Sequence, residues 1–96
     1  MIQSIRDELT QDIYDGTNSK AARKFPKKLH ESARNKLDML NAAQELMDLR
    51  SPPGNRLKAL EGNLKGYFSI RINDQWRILF KWTHAGAEDV HIVDYH

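Results

Sequence analysis

The residue types best suited to chemistry lie in a row near the end of the chain, Asp94, Tyr95 and His96. An imidazole exchanges protons near neutral pH, and a neighbouring carboxylate favours its charged form. RNA offers a target for such a group. The ribose 2′-OH attacks the adjacent phosphorus once a base removes its proton, a cation holds the charge growing on the phosphate, and an acid protonates the leaving 5′ oxygen. Asp94 and the carboxylate of the last residue would keep the His96 ring protonated, which suits the general acid. Arg77 offers a forked pair of donors to phosphate oxygens, and Lys58 is a second cation. Tyr95 could stack on a base or orient the phosphate. Each residue also has a plain structural reading. A terminal histidine frays, Tyr95 packs at an edge, and an arginine on a strand simply keeps an exposed sheet face soluble.

The element that must position these groups is GYFSIRINDQWRILFKW, residues 66–82. With a three-residue loop, Asn73-Asp74-Gln75, Ile72 opposes Trp76, Ile70 opposes Ile78 and Phe68 opposes Phe80, all on one apolar face. The other face pairs Arg71 with Arg77, Ser69 with Leu79 and Tyr67 with Lys81. A two-residue turn would mix the faces, because a slip of one residue moves every side chain across the sheet. Facing arginines repel, so this second face is expected to be open and to meet an anion.

Asp7 can cap a helix that places Leu9, Ile13 and Tyr14 on one face, and Gly16 ends it. Residues 20–25 are basic and are assigned no element. Pro26 suits the first turn of a second helix, in which Leu29, Ala33, Leu37 and Leu40 form the apolar stripe. Ala43, Leu46 and Met47 continue that stripe, with Asn41 a candidate break in it, and Ser51-Pro52-Pro53-Gly54 stops it. Residues 56–60 predict a short strand with Leu57 inward and Arg56 and Lys58 outward. Residues 83–88 form a connection, and Val90, Ile92 and Asp94 alternate with His91, Val93 and Tyr95 in a final strand. Residues 1–5 lean towards an edge strand. Helices first and an antiparallel meander afterwards predict an α+β domain spanning 1–96. Its N-terminal helices would cover one sheet face and leave the opposite face open and cationic.

No cysteine is present, so disulfides, cysteine–zinc sites and a thiol nucleophile are excluded. The four histidines, His30, His84, His91 and His96, lack metal-ligand spacing. No phosphate-binding glycine loop occurs, and neither a metal nor another cofactor is expected. No apolar run reaches the ~20 residues of a membrane span, and the first residues lack the basic-then-apolar order of a secretion signal, so a cytoplasmic protein without membrane partners is expected. Net charge is only +2, yet residues 20–36 hold seven Lys/Arg against one acid, Glu31. That asymmetry points to a polyanion, with Lys20, Arg23, Lys24, Lys27 and Lys28 joining Arg56, Lys65 and Arg71 as candidate contacts. A solvated helix face is the bland alternative.

Three stretches together, DLRSPPGNRLKALEG, SIRINDQWR and the closing VDYH, resemble the HigB-type toxins of bacterial toxin–antitoxin systems, members of the RelE/ParE superfamily. The likeness runs over essentially the whole chain. It implies a RelE-like fold and a ribosome-dependent endoribonuclease that cuts mRNA in the ribosomal A site and arrests growth. It further implies that Arg77 holds the scissile phosphate, and that Asp94, Tyr95 and His96 are the family's closing acid, aromatic and histidine. The implied partner is a HigA-type helix-turn-helix antitoxin, through which alone the toxin would meet operator DNA. Some relatives carry histidine where Lys58 stands. Lysine is normally protonated, so the general base is left unassigned. Superfamily relatives that poison DNA gyrase supply the alternative function, and an RNA-binding subunit without catalysis a third.

Overall fold

The computed structural model describes residues 1–95, and His96 lies outside the described residues. Two α-helices, α1 (Glu8–Asp15) and α2 (His30–Ala42), precede a sheet of strands β1 (Lys58–Ala59), β2 (Tyr67–Arg71), β3 (Trp76–Thr83) and β4 (Gly86–Asp94). The strands lie in chain order and each neighbouring pair is antiparallel. The architecture is α+β, as the order of periodicities predicts.

The hairpin adopts the expected register, with Phe68 against Phe80, Ile70 against Ile78 and Arg71 against Arg77. Asn73 secures the turn. Its Oδ1 accepts from the Gln75 and Trp76 amides at 2.9 and 2.8 Å, and the Ile72 amide donates to Trp76 O at 2.9 Å. A side chain that imitates a backbone acceptor can hold a loop this short. The apolar face meets Ile13, Phe25, Ala33, Leu37, Leu40 and Leu49 from the helical layer in one core. Phe25 packs edge-on against Trp76, with ring centroids 5.0 Å apart. Such a pair contributes about 0.5–1.5 kcal/mol beyond its buried area. It also fastens the basic segment to the Trp76 end of the sheet.

Asp7 caps α1 by accepting from the Thr10 amide, and Gly16 closes it in the left-handed conformation, as its sequence requires. Pro26 precedes a 3-10 turn, Lys27–Leu29, that leads into α2. The second helix is shorter than the apolar stripe predicts. It ends at Ala42, and a separate 3-10 turn, Leu46–Arg50, leaves Met47 exposed. Asp48 causes the break, because its Oδ2 accepts from the amides of Gln44 and Glu45 and restarts the chain as a new turn. The strand expected over 56–60 shrinks to two residues, since Arg56 has a left-handed backbone with φ 47°. The connection expected over 83–88 is tighter, because β4 already begins at Gly86.

Residues 1–6 run parallel to β4 and cover its outer edge. Gln3 donates to Ala87 O, Ala87 to Met1 O, Val90 to Ser4 O and Arg6 to Val90 O, at 2.7 to 3.0 Å. The buried hydroxyl of Thr10 in α1 extends this cover by accepting from the Ile92 amide at 3.0 Å. The edge strand thus has partners for its backbone, which otherwise would offer a template for other chains.

The sheet face away from the helices is less open than expected. Leu60, Tyr67 and Leu79 are buried there, with Val93 and Tyr95 packed beside them. At the Tyr67 end Arg6 closes it further. Arg6 Nε and Nη2 donate to the two Asp89 oxygens at 3.0 and 2.6 Å, and the Tyr67 hydroxyl donates to Asp89 Oδ2. The exposed Lys81 lies over the Tyr67 ring at that end, and Arg77 and Lys58 carry the donors at the other.

Two outcomes follow for stability. Arg6 first, and then Tyr67, hold the Asp89 carboxyl down to a pKa of about 2. Its stabilising contribution is complete above an unfolded value of about 3.9. It is lost as the pH falls through about 2. Asp89→Asn should therefore lower stability at pH 7 and flatten the acid-unfolding profile between about pH 4 and 2; an unchanged profile refutes the pairing. At Gly86, φ is 130° and an added Cβ would lie 1.9 Å from Met1 O. Gly86→Ala should cost roughly 1–3 kcal/mol in chemical denaturation and speed hydrogen exchange at the Ala87 amide.

Candidate active site and nucleic-acid interface

Arg77 leaves the sheet on the face away from the helices and lies across β2. Its Nε donates to Ser69 Oγ at 2.8 Å, and its Nη2 to the Arg56 carbonyl at 2.7 Å. The side-on edge of the guanidinium is thereby fixed to neutral oxygens, and Nη1 with the other Nη2 hydrogen has no hydrogen-bond partner among the described residues. The free end is a donor fork of the kind that takes two phosphate oxygens. Burial lowers the proton affinity of Arg77, the Tyr95 phenol opposes that, and the charges of Arg71 and Arg56 add to the lowering. A guanidinium keeps its charge through such a shift. An anion arriving at the fork would relieve the repulsion among the three arginines.

Ser69 was not singled out in the sequence, where it is merely the small residue opposite Leu79. The pattern gives its face but not its acceptor role. Tyr95 stands on the same face as Arg77, with the guanidinium carbon 5.7 Å from the ring centroid. Lys58 pairs with Ser69 across β1 and β2, so it shares that face, and it is exposed. Arg77, Lys58 and Tyr95 thus share one sheet face, with Arg77 beside the Tyr95 ring.

Asp94 is not brought to them. It opposes Trp76, whereas Val93 opposes Arg77, and alternation puts Asp94 on the other side of the sheet. The expected convergence of the closing residues on Arg77 is corrected for Asp94, and His96 lies outside the described residues. Gln75 links the tail to the turn instead. Its Nε2 donates to Asp94 Oδ2 at 3.0 Å, and its carbonyl accepts from the Tyr95 amide at 2.6 Å. Gln75 reads only as a loop residue in the sequence, so this role was missed.

Arg71 also departs from expectation. It forms an ion pair with Asp74, three residues on in the turn, so it does not face Arg77 as a bare second cation. Lys65 follows the 3-10 turn Gly62–Leu64, beyond the Tyr67 end of β2 and away from Arg77. Lys20, Arg23, Lys24, Lys27 and Lys28 are all exposed on the helical side. They flank the sheet end that carries Arg77 without sharing its face.

The proline loop positions Arg56 through a buried asparagine. Asn55 donates Nδ2 to Leu49 O at 3.2 Å and Ser51 O at 3.3 Å, and its Oδ1 accepts from Lys36 Nζ. Partial burial lowers the Lys36 pKa. The Ser51–Pro52 bond is cis. No group of His, Asp or Glu among the described residues is arranged to hold a metal ion, and no helix there is long and apolar enough to cross a membrane.

The model of HigB-like toxins, described as RelE-like toxins of the type II toxin–antitoxin system HigB, matches residues 3–96. The chain belongs to this family. This HigB-like toxin is 39% identical to Toxin HigB-1 of Vibrio cholerae over 92 residues, which are 96% of this chain and 95% of the relative. It is 35% identical over 79 residues to an uncharacterised protein of Haemophilus influenzae, covering 82% of this chain and 74% of that protein. Its fold is also similar to a chain in the YoeB–YefM complex of Staphylococcus aureus. The TM-score is 0.58 at 17% identity, covering 100% of this chain and 95% of the other. The resemblance carried by PPGNRL, SIRINDQWR and VDYH thus identifies the family correctly: this is a toxin of a type II toxin–antitoxin system with a RelE-like fold.

Replacing the buried Asn55 by alanine in this HigB-like toxin should cost about 1–3 kcal/mol, because the Lys36 ammonium loses its acceptor. It should also weaken any function that depends on Arg77, whose guanidinium leans on Arg56 O. Denaturant midpoints near those of the unmodified protein would refute this anchoring role.

Proposed function

We propose that this HigB-like toxin is a ribosome-dependent endoribonuclease that cuts mRNA in the A site. The observation that carries the reading is the Arg77 fork, held from behind by Ser69 and Arg56 beside Tyr95, with Lys58 on the same sheet face. In the proposed reaction the ribose 2′ oxygen attacks phosphorus and the bond to the 5′ oxygen breaks. The strand ends become a 2′,3′-cyclic phosphate and a 5′-hydroxyl. Arg77 binds the non-bridging oxygens and stabilises the charge that builds on them. Lys58 adds a second positive charge, and Tyr95 orients the nucleotide. His96 gives its proton to the leaving oxygen. Asp94 acts through Gln75, holding the tail against the turn. The 2′-OH proton passes to a group that these residues do not supply, and the ribosome is its source in this scheme. Positioning and charge then provide most of the rate.

Arg56, Lys65 and Arg71 on the sheet side, with Lys20, Arg23, Lys24, Lys27 and Lys28 on the helical side, are proposed to meet ribosomal RNA. The partner that restrains the toxin is proposed to be a HigA-type helix-turn-helix antitoxin, which alone would carry it to operator DNA. The YoeB–YefM neighbour, itself part of a two-protein complex, supports a protein partner. The working compartment would be the cytoplasm, where ribosomes and message are.

Arg77→Ala should reduce cleavage on programmed ribosomes about 10²–10³-fold, the usual effect of removing one preorganised donor, while circular dichroism stays unchanged. Arg77→Lys should fall between, keeping charge but losing the fork. Uncut message at every codon with the unmodified protein, together with inhibited supercoiling by gyrase, would replace this reading with the gyrase-poison alternative.

A further inference from the structure

A second cationic feature lies on the helical side, away from the Arg77 face. Where α1 ends and α2 begins, Gly16, Thr17, Asn18, Arg23, Lys27, His30 and Arg34 line a pocket of about 530 Å³. Its polar groups are held by neutral acceptors. Arg34 Nε donates to Ile13 O in the last turn of α1 at 2.9 Å, and Arg23 Nη1 to Asn18 Oδ1 at 3.3 Å. His30 donates Nε2–H to Phe25 O at 2.8 Å, since a carbonyl only accepts. Among the described residues the ion pairs are Arg6–Asp89 and Arg71–Asp74, so Arg23, Lys27 and Arg34 point into the pocket region without a counter-ion. Gly16 is favoured there by its left-handed backbone, φ 74°, and the Arg34 guanidinium lies beside it at ordinary contact distance.

We infer that this pocket binds a backbone phosphate of RNA, with its sugar, at a point other than the scissile bond. The inference rests on the RNA-directed reading above for the source of the phosphate. Charge and shape both favour it. Three cations converge, two of them planar donor forks, and Asn18 and His30 add groups suited to a ribose hydroxyl. The volume falls in the roughly 300–1,000 Å³ range of ligand pockets and exceeds what a lone phosphate fills. None of the seven residues offers a large apolar side chain as an anchor, which a peptide partner would require. Phe25, whose carbonyl fixes His30, packs on Trp76, the neighbour of Arg77. The two cationic sites therefore sit on opposite faces of one sheet end, and a folded RNA could be gripped from both.

The test uses full-length Arg77→Ala protein, so that RNA stays intact, followed by amide and guanidinium NMR signals. Titration with a short single-stranded RNA, and with adenosine monophosphate, should shift Gly16, Asn18 and the Arg34 Nε–H. Adding Arg23→Gln and Lys27→Gln should abolish those shifts while the spectrum keeps its folded dispersion. The slope of log affinity against log salt should fall by about 0.7 for each lost phosphate contact. Lys27→Gln alone, at an exposed position, repeats the measurement should the paired change unfold the protein. Unmoved Gly16 and Asn18 signals, equal shifts in the Gln variants, or shifts with an oligoglutamate peptide but not with RNA would each overturn the inference. Cleavage by protein with Arg77 intact is scored separately. Its absence would remove the nuclease reading and leave these shifts to decide the pocket.

Discussion

The structure depends on the pairing of β2 with β3. Period-two alternation divides this hairpin into an apolar face and a face carrying Ser69, Arg71, Arg77 and Tyr67. Asn73 holds the register, because its side chain takes the two amides that a slipped turn would have to pair otherwise. Every later placement inherits it. Trp76 can meet Phe25 and Arg77 can reach Ser69 only because adjacent residues point to opposite sides. A shift by one would bury a guanidinium beneath the helices and expose the core.

Around that hairpin the protein spends polar groups on orientation. Asn55, Gln75, Ser69 and Thr10 are neutral, and each ties a loop, tail or helix to the sheet. The charged groups at the proposed RNA surfaces are held by neutral oxygens, as with Arg77 on Arg56 O and Arg34 on Ile13 O. A cation fixed this way keeps its charge available to an incoming anion. Where charges are paired, as at Arg6–Asp89, the pair closes the sheet face and leaves no such opening.

Much of this was legible in the residues. The hairpin register, the Asp7 and Gly16 caps and the core positions Leu37, Leu40, Ile70 and Phe80 follow from local periodicity and cap chemistry. What escaped depends on partners distant in the chain or on a single competing hydrogen bond. Asp48 ends the second helical region although the apolar stripe runs on to Met47. The Arg71–Asp74 pair was hidden by attention to the cross-strand neighbour Arg77. Asp94, Tyr95 and His96 read as one cluster in a linear sequence, yet a strand sends successive side chains to alternate faces, so Asp94 parts from Tyr95. The pocket below Gly16 joins Asn18 to Arg34 across two elements, and composition flagged its charge but not its concavity. The family itself was read from motif combination, which these geometric misses did not disturb.

The parallel cover over β4 has a consequence for the order of folding. Ser4 Oγ takes its hydrogen bond from Asp89, 85 positions away, and Thr10 takes one from Ile92, 82 positions away. The strip over residues 1–6 therefore has no edge to dock on until β4 is in place. Contacts of such long sequence separation form late. The outer edge of the sheet is thus the part of the fold sealed last, by hydrogen bonds that span most of the described residues.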